Sequence, residues 1–71
     1  MEKTKSDVAT ALDLLRMSLA TAKGAEAVLD VAYEGGGLDS RENDARDMLY
    51  DGVATLESVI ELLTGEGNGY V

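Results

Sequence analysis

Three consecutive glycines, Gly35-Gly36-Gly37, divide this chain. Glycine propagates a helix poorly and readily adopts the positive φ that ends one. Asp39 or Ser40 follows within a few residues and is suited to capping a new helix. The chain of 71 residues contains no proline, and its apolar side chains are mostly Leu, Val, Ala, Met and Ile. That is the vocabulary of helix bundles. The expectation is an all-α single domain spanning 1–71. Helix 1 covers about 6–34, the Gly-rich turn 35–38, helix 2 about 39–64, and a flexible tail 65–71.

Apolar residues in the first half fall at Val8, Leu12, Leu15, Leu19, Ala22, Leu29 and Tyr33. The steps alternate between four and three residues, with Glu26 as a polar interruption where the stripe is expected to drift onto Ala25. Thr4 or Ser6 is a candidate N-cap, Met1 to Lys5 a frayed start, and Gly35 the expected left-handed stop. A second apolar line, Leu14, Met17, Thr21, Gly24, Val28 and Val31, widens the surface beyond what one partner helix covers.

Helix 2 opens with Asp39 and Glu42 in capping-box spacing. Its stripe is Ala45, Leu49, Gly52, Leu56, Val59 and Leu63, widened by Met48, Val53 and Ile60, and Gly65 is the stop. Closing the hairpin places Leu29 opposite Ala45, Ala22 opposite Gly52, and Leu19, Leu15 and Leu12 near Leu56, Val59 and Leu63. Small residues then meet at the waist: Ala20, Ala22, Gly24 and Ala25 face Gly52 and Ala54, an arrangement read as close helix packing. Leu12, Leu15, Leu19, Leu29, Leu49, Leu56, Val59 and Leu63 are the candidate core and dimer residues.

Ordering ~55 helical residues opposes folding by ~80 kcal/mol. The ~80 kcal/mol from apolar burial in a compact globule of this mass only offsets that. A two-helix hairpin buries less than a globule, so the expected solution is a homodimer forming an antiparallel four-helix bundle.

The formal charge is −8, from 14 acidic and 6 basic residues. The segment through Ala22 is neutral. From Lys23 to Asp51, the acids Glu26, Asp30, Glu34, Asp39, Glu42, Asp44, Asp47 and Asp51 face only Lys23, Arg41 and Arg46. Glu26, Asp30 and Glu34 form one helical row; Asp44, Asp47 and Asp51 form another. Like charges at these spacings repel mildly, and a cationic partner relieves the repulsion. The expected partners are a second copy and a basic protein surface, with these six acids as the binding face, imitating a phosphate track. Direct nucleic-acid binding is disfavoured without a basic stripe, and so is docking on anionic membranes.

No signal peptide is expected, since Met1 to Asp7 is charged and no adequate apolar run follows, and no stretch approaches a membrane span. The expected location is cytoplasmic. The chain has no His and no Cys, which excludes the usual zinc sites and His- or Cys-based nucleophiles. The stretch from Asp39 fails as an EF-hand loop: its third position is Arg41, its sixth Asp44 and its twelfth Tyr50. The glycine run lacks the Lys-Ser/Thr of a phosphate loop. No enzyme activity, cofactor or metal is expected.

In plan, two helices about a glycine turn, the chain resembles the RNA-binding plasmid copy-number regulators built as hairpin dimers. In size and charge it is similar to phage-encoded inhibitors of bacterial defence systems. Both likenesses are architectural and assign no residue here. The leading reading is a non-catalytic acidic interaction module that blocks a basic or nucleic-acid-binding surface. The alternatives are an RNA-binding regulator using Lys3, Lys5, Arg16 and Lys23, and a small-molecule sponge using the small-residue waist.

Overall fold

The computed structural model describes residues 5–65. The expected Thr4 cap, the residues before it and the tail from Glu66 lie outside that range. The described chain is all-helical: α1 spans Lys5–Glu34 and α2 spans Ser40–Thr64, packed against each other as a hairpin.

α1 ends at Glu34, where the sequence puts it, but its left-handed stop is Gly36 rather than Gly35. Gly35 still donates to the Val31 carbonyl in helical register, and the left-handed residue is Gly36, at φ 76°. The Gly36 N–H reaches the Tyr33 carbonyl and the Gly37 N–H the Ala32 carbonyl, both at 2.9 Å. These two bonds make a Schellman closure with Gly36 at its left-handed position. Asp39 then caps α2 through a complete capping box. Its carboxylate accepts from the Glu42 N–H at 2.8 Å, and its own N–H donates to Glu42 Oε1 at 3.0 Å. Gly65, at φ 82°, closes α2 by donating to the Glu61 carbonyl.

The α1 seam follows the periodic line through Val8, Leu12, Leu15, Leu19, Ala22 and Leu29, all half-buried, but not to its end, for Tyr33 is 49% exposed. The stripe does not drift at its polar position, for Glu26 is half-buried in the line and Ala25 is exposed. On α2 the seam is rotated from the expected stripe. It runs through Arg46, Leu49, Val53, Leu56 and Ile60, while Ala45 and Gly52 are exposed and Leu63 is 42% exposed. Val53 and Ile60 have more apolar surface to hide than Ala45 and Gly52, so they take the contact. The waist is not a close backbone approach either. A Cβ placed on Gly24 or Gly52 meets no atom within 4 Å.

Val53 is the one buried residue among those described, at 6% exposure. Leu14, Met17, Val28, Val31 and Met48 are 58–72% exposed. The molecule measures 51 × 27 × 16 Å. Since a helix with side chains is about 10–12 Å across, the shortest dimension admits a single layer. Among the described residues no helix is long and apolar enough to cross a membrane.

Candidate interaction surfaces

The two broad faces of this layer differ chemically. At ~100° per residue, Arg16, Lys23 and Asp30 lie to one side of the α1 seam, and Tyr50 and Glu57 lie to the matching side of the α2 seam. Their cross-helix contacts confirm that they share a face. Lys23 Nζ is 3.0 Å from Glu57 Oε2. Nearer the turn, Arg46 Nε donates to Asp30 Oδ1 at 2.8 Å, and the Tyr50 hydroxyl donates to the same carboxylate at 2.6 Å.

Arg46 is the centre of this cluster. Its guanidinium carbon lies 4.2 Å from the Tyr33 ring centroid and 5.1 Å from that of Tyr50. An arginine stacked between rings and bonded to a carboxylate hides its stem as well as its charge, which explains how a base occupies a seam position. The Tyr50 hydrogen bond, and after it that of Arg46, hold the Asp30 carboxyl below its usual value against a smaller opposing effect of burial. The same bond to Asp30, followed by burial, pushes the Tyr50 phenol up. Asp30 is thus a structural acceptor whose lone pairs are in use. The sequence offered one signal for this cluster, the one-turn spacing of Arg46 and Tyr50. The expected register put Ala45, not Arg46, across from Leu29, and so concealed it.

The opposite broad face is uncharged along its middle, with Asp7 of α1 and Arg41 of α2 at its two ends. On α1 it runs through Ala11, Leu14, Ser18, Thr21, Ala25 and Ala32; on α2, through Ala45, Gly52, Val59 and Leu63. An open groove of about 440 Å³ follows α1 there, between Leu14, Met17, Ser18, Thr21, Ala22 and Ala25. The Thr21 hydroxyl donates to the Met17 carbonyl at 3.0 Å, so even this polar group is satisfied within its own helix.

The six acids singled out from the sequence are distributed over different surroundings. Glu26 is half-buried in the seam, with Oε2 buried and unbonded. Asp30 is bound by Arg46 and Tyr50, and Glu34 is exposed near the turn. Asp44, Asp47 and Asp51 are exposed and form one row on the back of α2, about 180° round the helix from its seam. Asp47 alone of this row is near a base, 3.9 Å from Arg46 Nη1. The candidate core residues Leu12, Leu15, Leu19, Leu29, Leu49, Leu56 and Val59 are half-buried, with Leu63 exposed. Among the described residues no group of three or more acidic side chains is placed to hold a metal ion. No family model matches the chain, and neither a curated protein nor a solved structure matches it.

Proposed function

We propose that this protein is a non-catalytic acidic interaction module. Two hairpins associate into an antiparallel four-helix bundle, and the outer row Asp44, Asp47 and Asp51 binds a basic protein surface, in the manner of an inhibitor that occludes a nucleic-acid-binding site. The observation that carries this reading is the placement of the row. It stands on the edge of the layer, turned away from both the α1 seam and the uncharged face, so association of two copies leaves it open. Glu34 lies near the turn and adds to the negative field at that end. Asp30 and Glu26 belong to the hairpin's own packing rather than to the binding row.

The test compares two double variants with the same formal charge. D44N/D51N and D13N/E61Q each remove two carboxylates, taking −8 to −6. A host protein retained by the wild-type chain and released by salt is first identified, and its affinity is then measured for both variants. The expected result is a loss on the order of tenfold for D44N/D51N and little change for D13N/E61Q. Equal losses would show that only bulk charge matters and would remove the row from the proposal.

A further inference from the structure

We infer that the uncharged broad face is the surface on which a second copy of this chain docks. The assignment rests on the bundle reading above and specifies which of the exposed surfaces forms the contact. One observation calls for a second copy and two select the face.

The first is area. The accessible surface is 5394 Å², whereas a compact monomer of this mass exposes roughly 4,250 Å². The excess, about 1,100 Å², is comparable to the ~800 Å² that each partner contributes to a stable interface. The second is charge. Two chains of formal charge −8 repel at long range, so they meet most cheaply where neither presents a charged group. Between its two ends, where Asp7 and Arg41 lie, the face carries no charged residue: none on α1 from Ala11 to Ala32 and none on α2 from Ala45 to Leu63. The opposite broad face carries Lys23, Asp30 and Glu57.

The third is the direction of the α2 apolar stripe. Its sequence-derived line passes through Gly52 and Val59, whereas the intrachain contact is centred on Val53. The stripe is therefore wider than the seam and continues onto the uncharged face, where α1 presents the groove at Ser18, Thr21 and Ala25. One continuous apolar surface thus serves two contacts: the hairpin seam, and beside it the contact with the second copy.

Introducing a charge at Ala25 tests the face, and introducing the same charge at Ala20 controls for helix propensity and net charge. Both alanines are exposed; Ala20 lies on the far side of α1, between Arg16 and Lys23 at helical spacings. Oligomeric state and helicity are measured by sedimentation and circular dichroism for the wild type, A25E, A25K and A20E. The expected result is a dimeric wild type, a dimeric A20E, and a dissociation constant raised on the order of 1,000-fold in both A25E and A25K, because burial penalises either sign. If the wild type and A25E are both dimers of similar affinity, the bundle stands and the assigned face is wrong. If the wild-type chain is a stably folded monomer at micromolar concentration, the bundle and the face assignment fall together.

Discussion

The same substitution, glycine to alanine, should change sign along this chain according to backbone conformation. Gly24 and Gly52 are helical, and nothing lies within 4 Å of a Cβ built on either. Alanine at such a site gains about 1 kcal/mol from helix propensity, partly by restricting the unfolded chain. For a domain of this size that corresponds to a rise in Tm of roughly 4–8 °C. Gly36 and Gly65 also have open space, but their φ values are 76° and 82°. Alanine there incurs the left-handed penalty of roughly 1–2 kcal/mol, and Tm falls. Thermal unfolding followed by circular dichroism reads all four. A lower Tm for G24A would mean that something packs on that glycine, contrary to the geometry. Gly52 lies in the middle of the uncharged face and Gly24 at its outer border, on the Met17 line, so the pair carries additional information. Equal gains at both sites are the outcome for an isolated hairpin. A gain at Gly24 accompanied by a loss at Gly52 shows a second helix closing over the latter.

Glu26 occupies a seam position with Oε2 buried and unbonded. Glu26→Leu should therefore stabilise the fold by about 1 kcal/mol, read as a higher urea midpoint with an unchanged slope; a lower midpoint would mean that the carboxylate has a partner. The Asp30–Tyr50 bond sets a pH window. The Asp30 carboxyl is held below 3.8, so its contribution is present above that unfolded value and is lost as pH falls through the lower folded one. The Tyr50 phenol is held above 10.0, so its contribution is present below that value and is lost as pH rises through the higher folded one. Ultraviolet titration of phenolate formation should show the Tyr50 phenol ionising late in the wild type and earlier in D30N. A D30N profile identical to wild type would refute the bond.

The architecture was legible because local rules determine it. Three glycines cannot continue a helix, Asp39 and Glu42 have capping-box spacing, and the α1 stripe keeps its period from Val8 to Leu29. The rotation of the α2 seam was less visible. A two-helix layer buries so little that period alone cannot distinguish a residue on the seam from one on an adjacent apolar face, and α2 carries both. Arg46 was hidden for a related reason. Counted as a base in an acidic stretch it looks like surface, and only the fold brings Asp30, Tyr33 and Tyr50 around it. The site residues divide in the same way. Residue type identified six acids, but the tertiary register determined that Asp30 is used internally while Asp44, Asp47 and Asp51 remain outside.

That division separates the two proposed contacts by their response to salt. The uncharged face joins chains without forming ion pairs, and the acidic row sits on the outer edge of a layer 27 Å wide. The Debye length is about 8 Å at physiological ionic strength, so the row's field is already weak across most of that width. Added salt should leave self-association unchanged or slightly strengthen it by screening the mutual repulsion of two negative chains. Binding of a basic partner to Asp44, Asp47 and Asp51 should weaken steadily over the same range. Sedimentation and partner binding, each measured across a salt series, distinguish the two. If self-association weakened with salt as steeply as partner binding does, ion pairs would have to lie within the chain–chain contact, and the uncharged face could not be what joins the two copies.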